Sequence, residues 1–174
     1  MHTEREFEVV LHDGRTTEIR GVDGNEEARI AAVLGMASDV DAEARQEMEA
    51  RGCCAAWGAY ADLDGQKQAV GLARYTQSDD ERSADIEVRV AGALRGVGLG
   101  KLLFETLILN ALEHGLDVLV ARVTRHSRVA QRLTKEASRV WMSGAGVHVE
   151  IPVNSGRRTL KMSTAVPKVR RRVG

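Results

Sequence analysis

The sequence predicts one domain of the α/β (α+β) class, a mixed sheet with helices packed on it, and three observations carry that expectation. Short β-prone runs follow one another with Asp- and Gly-containing turns between them, which favours antiparallel neighbours. A strand-like segment, Ala84 to Val90, leads through a glycine-rich turn into a long apolar-faced segment, Leu99 to His114. A further strand-like run follows at Asp117 to Val123, and strand, helix, strand implies one parallel crossover. At 174 residues the chain fits a single domain with a real core.

In chain order, Phe7 to Leu11 and Thr16 to Val22 read as strands joined by His12, Asp13, Gly14 and Arg15, a hairpin signal. Asn25 to Met36 carries Ala28, Ile30, Ala31, Val33 and Leu34 at helical spacing behind a cap at Asp23 or Asn25, and Ser38 or Asp39 starts a second helix through Met48. Cys53 to Ala61 and Ala69 to Thr76 are strand-like around a turn at Asp62 to Gln68, and the acidic stretch Gln77 to Ser83 is a second turn. Ala84 to Val90 then sets Ala84, Ile86, Val88 and Val90 on one face and Asp85, Glu87 and Arg89 on the other. The helix from Leu99 has a broad apolar surface (Leu99, Leu102, Leu103, Phe104, Leu107, Ile108, Leu109, Leu112) and ends at Gly115. After the strand at Asp117 to Val123 come a weaker helix from about Ser127 to Ala137, a strand at Val147 to Val153 and a last strand at Thr159 to Ala165. From Pro167 onward, Lys168, Arg170, Arg171 and Arg172 read as a basic tail, either a solvated terminus or one that steers substrate or touches RNA.

Composition narrows the function classes. Zero formal net charge and few aromatics argue against nucleic acid as a partner. No apolar run approaches membrane-spanning length, and Met1 to Glu8 is charged rather than signal-like, so a cytoplasmic protein without membrane association is expected. The only cysteines, Cys53 and Cys54, are adjacent, which suits neither a stapling disulfide nor a zinc pair, and no metal is expected.

The glycine turn carries the chemistry. Three glycines within Arg95, Gly96, Val97, Gly98, Leu99, Gly100 and Lys101 let backbone N–H groups approach a ligand, and the helix start adds partial positive charge. That is a phosphate or diphosphate site. A nucleotide P-loop needs glycine where Arg95 stands and a hydroxyl where Leu102 stands. A dinucleotide fingerprint started at Gly96 or Gly98 meets Lys101 or Leu103 in place of its third glycine.

What remains, Arg-x-x-Gly-x-Gly between a strand and a helix, resembles the coenzyme A loop of the GNAT N-acetyltransferases, and the order of elements is similar from about Val9 to Val153. Val70 to Tyr75 and Val147 to Pro152 look like bacterial protein lysine acetyltransferases of the Pat type. The resemblance implies one domain over residues 1–166 plus the tail, with helices on both faces of a mostly antiparallel sheet and a splayed parallel pair at the coenzyme A site. It implies acetyl-CoA as cosubstrate, with pantetheine along the backbone of Val88, Arg89 and Val90 and the diphosphate on the N–H groups of Gly96 through Lys101. Arg95 and Lys101 either add charge beside that diphosphate or are ordinary solvated cations.

Acyl transfer to an amine requires an alkylammonium to lose a proton and the thioester oxygen to be stabilised as it gains charge. Pat-type enzymes have a glutamate base ahead of the turn, and counting back from Gly100 gives Asp85, a shorter acid. Glu87 shares its strand face and is the second candidate base, while both acids could instead pair with Arg89 or Arg74. A backbone N–H near Arg89 is the candidate to polarise the carbonyl. Where many members carry an asparagine and then a thiolate-protonating tyrosine, this chain has His126 and Leu133, so no general acid is visible. His126 either serves as that acid, contacts coenzyme A, caps a helix or is solvated, and Ser127 starts a helix. Trp57 and Tyr75 line an acceptor cleft or pack in the core. The expected activity is N-acetylation of a protein lysine, with a small amine or a non-catalytic coenzyme A sensor as alternatives, and a homodimer is left open.

Overall fold

The computed structural model describes residues 6–36, 42–124, 135, 137–143 and 146–153. Eight strands follow the order β1-β2-β3-β4-β5-β6-β8-β7 in one mostly antiparallel sheet. They are β1 (Phe7–Val10), β2 (Thr16–Gly21), β3 (Cys54–Leu63), β4 (Gln66–Gln77), β5 (Ser83–Val90), β6 (Val118–Thr124), β7 (Arg139–Ser143) and β8 (Gly146–Pro152). The helices are α1 (Gly24–Val33), α2 (Ala42–Ala50) and α3 (Leu99–Glu113).

By backbone contacts the chain divides into two compact units. The first runs to Arg74 and includes Val88–Glu105. It opens with the expected hairpin, paired from Phe7↔Ile19 to Val10↔Thr16, and β2 then pairs with β3 from Thr17↔Ala61 to Gly21↔Trp57. Asp23 caps α1 by accepting the Glu26 N–H at 2.8 Å, as the sequence indicated. Helix α2 starts at Ala42; its anticipated start at Ser38 or Asp39 lies outside the described residues. Val22, Ile30, Ala31, Met36, Ala56 and Leu72 form an apolar core in this unit. Strands β3 and β4 run longer than expected because the turn is only Asp64 and Gly65, both at positive φ (53° and 77°), the backbone of a tight two-residue hairpin.

The second unit holds Tyr75–Glu87 and Thr106–Lys161. Its sheet joins β5 to β6 in parallel and β6 to β8 antiparallel, from Val118↔Pro152 to Thr124↔Gly146. Helix α3 ends as expected: Gly115, at φ 74°, donates its N–H to Leu112, and Leu116 donates to Ala111. Strand β7 was not anticipated; it pairs with β8 from Arg139↔Glu150 to Ser143↔Gly146. The helix anticipated from Ser127, the last strand at Thr159 and the basic tail lie outside the described residues. Among the described residues no helix is long and apolar enough to cross a membrane.

Candidate active site

Strand β5 alternates as its sequence does. Ala84 and Ile86 are buried, while Asp85, Glu87 and Arg89 are exposed, because successive side chains of an extended backbone leave on opposite faces. The parallel register with β6 runs from Ser83↔Val118 through Asp85↔Val120 and ends at Ile86↔Ala121. Strand β5 nevertheless continues to Val90, and β6 to Thr124. Val88, Arg89 and Val90 are therefore strand residues beyond the parallel register. Ala91 then donates its N–H to the Val70 carbonyl at 2.8 Å, tying the end of β5 to β4.

A single 3₁₀ turn, Gly92–Leu94, follows, which the sequence reading did not separate from the glycine turn. Its Leu94 is fully buried and anchors what comes next. Gly96 and Gly98 have φ of 78° and 95°, conformations that side chains rarely tolerate. The Leu102 N–H donates to the Gly98 carbonyl at 3.2 Å, so the N–H groups of Leu99, Gly100 and Lys101 precede the first intrahelical donor of α3. Leu99 is fully buried, as is Leu103, whose Cδ1 comes within 2.8 Å of where a Cβ on Gly71 would stand. Burial of these leucines, about 2 kcal/mol each, fixes the helix start against β4. Unsatisfied N–H groups at the positive end of a fifteen-residue helix, approached over backbone without Cβ atoms, fit a diphosphate.

The two flanking cations have protein partners of their own. Arg95 donates Nε–H to the Val90 carbonyl at 3.4 Å, and Lys101 faces Glu105 at 3.6 Å in an i,i+4 pair. Both side chains are exposed, so these contacts are weak and yield readily to a stronger anion.

A contribution from the amino-terminal hairpin was not legible in the sequence. His12 donates its backbone N–H to the Val97 carbonyl at 3.2 Å. Its ring lies 3.3 to 3.6 Å from the position of a Cβ on Gly98. Arg15 donates Nη2–H to the Ala93 carbonyl at 2.9 Å. Asp13 steadies Arg15 by accepting its backbone N–H at 3.1 Å and its Nε–H at 2.6 Å, and these bonds hold the Asp13 carboxyl below its usual value. Arg15 and Ala93, 78 positions apart, meet here, a contact that no local pattern announces.

Of the other residues singled out by sequence, Asp85 and Glu87 belong to the second unit, while Val88 to Lys101 belong to the first. His126, Ser127 and Leu133 lie outside the described residues. Trp57 and Tyr75 are 7% and 1% exposed, which assigns them to core packing. Cys54 is buried in β3, and Cys53 just before it is half-buried. Among the described residues no cluster of His, Cys, Asp or Glu could hold a metal ion.

Comparison with known proteins gives a consistent result. A family model described as the acetyltransferase (GNAT) family matches residues 26–137. The fold is similar to the GNAT domain of PAT from S. lividans, with a TM-score of 0.62 and 18% identity over 84% of this chain and 96% of that one. It is also similar to a cAMP-binding acyltransferase from Mycobacterium smegmatis, at TM-score 0.63 and 19% identity over 86% of this chain; the chain spans only 48% of that protein. A third similar structure is yncA from Salmonella typhimurium, assigned as an acetyltransferase and solved with its cofactor acetyl-CoA, at TM-score 0.56 and 21% identity over 79% and 94% of the two chains. No curated protein sequence matches the chain.

Proposed function

The chain belongs to the acetyltransferase (GNAT) family and is an acetyl-CoA-dependent N-acetyltransferase, and from that premise we propose that its acceptor is a protein lysine and its base a β5 carboxylate. The observation that carries the reading is β5 itself. One strand bears two exposed acids, outlasts its parallel register by four residues, and runs into a turn whose N–H groups suit a diphosphate.

In this reading the backbone of Val88 to Val90 hydrogen-bonds the pantetheine arm as an added strand would, and Gly96 to Lys101 hold the diphosphate. Arg95 and Lys101 exchange their weak protein contacts for phosphate oxygens. Asp85 takes the proton from the acceptor ammonium, directly or through water, with Glu87 as the second candidate. An N–H near Arg89 stabilises the carbonyl oxygen as negative charge grows on it. A lysine acceptor is supported by the likeness to the S. lividans PAT domain and by the stretches Val70–Tyr75 and Val147–Pro152.

Two measurements test this. Calorimetry with acetyl-CoA reads binding, and release of free thiol in the presence of amines reads turnover. Asp85→Ala is expected to lower amine-dependent thiol release about hundredfold, the scale of a lost general base, and Glu87→Ala less. Unchanged rates in both variants would overturn the base assignment. An intact folded protein is expected to outperform free lysine as acceptor; equal rates would favour a small amine instead.

A further inference from the structure

The docking of the β1–β2 hairpin on the glycine turn has a consequence for binding. The chain contains no cis peptide bond among the described residues. In a trans peptide the carbonyl of one residue and the N–H of the next point in opposite directions. His12 holds the Val97 carbonyl on the hairpin side at 3.2 Å. The Gly98 N–H is therefore turned away from the hairpin. Without that bond the Val97–Gly98 peptide, between glycines with φ of 78° and 95°, would be free to rotate.

Two further contacts secure the same geometry. The His12 ring covers the side of Gly98 where a Cβ would project, and Arg15 fixes the Ala93 carbonyl at 2.9 Å in the 3₁₀ turn just ahead. Arg15 is in turn braced by Asp13. The hairpin touches the 3₁₀ turn that leads into the glycine turn, and the middle of the glycine turn itself, at Val97 and Gly98, within the stretch that presents N–H groups to an anion. The contact lies wholly within the first unit.

The geometry points to His12 and Arg15 as positioning residues for the diphosphate site: the hairpin turn pre-orders the Gly96–Lys101 amides, and this ordering selects donors that carry a diphosphate. The inference rests on acetyl-CoA binding at this turn, as set out above. Ordering in advance removes an entropic cost from binding, and the gain falls only on ligands that use the ordered groups. A thioester lacking the diphosphate gains nothing from it.

The test uses the full chain with His12→Pro, which removes the backbone N–H at the second position of the turn closed by the Gly14 N–H on the Leu11 carbonyl, Arg15→Gln and the double variant, and compares kcat/KM for acetyl-CoA with kcat/KM for acetyl-pantetheine at one fixed amine. The ratio of the two is expected to fall about tenfold in the double variant, through a raised KM for acetyl-CoA. Equal losses with both donors would reduce the hairpin to general support of the fold and overturn the inference, and so would an unchanged ratio. Circular dichroism reports whether each variant folds; if the double variant does not, Arg15→Gln alone reads the same ratio. Wild-type protein that ignores coenzyme A in calorimetry removes the functional reading and this inference together. Tight wild-type binding with unaltered affinity in the variants removes only the role of the hairpin.

Discussion

Gly98 carries two constraints at once. Its φ of 95° excludes most side chains, and the His12 ring would crowd a methyl group at 3.3 Å. Gly98→Ala is therefore expected to cost about 1–3 kcal/mol of stability, read by urea unfolding, whether or not a ligand is added. The sequence indicated glycine here because a Cβ would obstruct a phosphate; the fold supplies a separate reason from a residue far away in the chain. Gly100 differs, since a Cβ there meets only Val90 Cγ2 at an ordinary 3.6 Å. The adjacent cysteines also separate at this scale. Burial pushes the Cys54 thiol up to about 11, and its S–H donates to the Arg45 carbonyl at 3.6 Å. The neutral thiol is the form the fold favours, so its contribution is complete below about pH 9 and is lost as the pH rises toward 11. N-ethylmaleimide at pH 7 is expected to label Cys53 and spare Cys54, a result that peptide mass mapping would show directly.

The elements before the meander are locked by charge as well as by apolar contact. Glu27 on α1, 4% exposed, accepts from Arg45 on α2 at 2.7 Å and from Arg74 on β4 at 3.1 Å. Removing the acid leaves two guanidinium groups in a poorly solvated place, so Glu27→Ala is expected to destabilise by about 3–5 kcal/mol, seen as a fall in the urea midpoint. A nearby network is more exposed: Tyr60 donates its O–H to Glu26 at 2.5 Å, Arg20 bonds the same carboxylate, and the Arg20 guanidinium lies 4.6 Å from the Tyr60 ring centre. Burial raises the Glu26 carboxyl, but Arg20 and Tyr60 together outweigh it and leave it below its usual value. Its stabilising share is thus present above the ordinary glutamate range and lost as acid protonates it, and Glu26→Gln should flatten that part of the pH–stability curve. Element boundaries were legible where caps announced them, as at Asp23 and Gly115, whereas the turn at Asp64–Gly65 was placed but drawn too wide. Strand β7 was missed although Val140, Trp141 and Met142 form a β-prone run, because its alternation is short. The stacking of Trp141 on His148, with ring centres 5.3 Å apart, is the cross-strand contact that holds it.

For the molecule as a whole, the order of hairpin, helices, meander, glycine turn, helix and parallel strand was readable, because each step leaves a local mark in periodicity or turn chemistry. The end of the parallel register at Ile86↔Ala121 was expected only through the family resemblance; alternation alone runs unbroken to Val90. The hairpin's contact with the turn was not readable at all, since its hydrogen bonds join residues 12 and 15 to residues 97 and 93 through backbone carbonyls, which every sequence possesses. A fragment trimmed to 26–137, the span that marks the family, would retain every glycine of the turn and both acids of β5. It would nonetheless lack the brace that stops the Val97–Gly98 peptide from flipping. For this chain, what defines kinship and what equips the turn to grip a donor do not begin at the same residue.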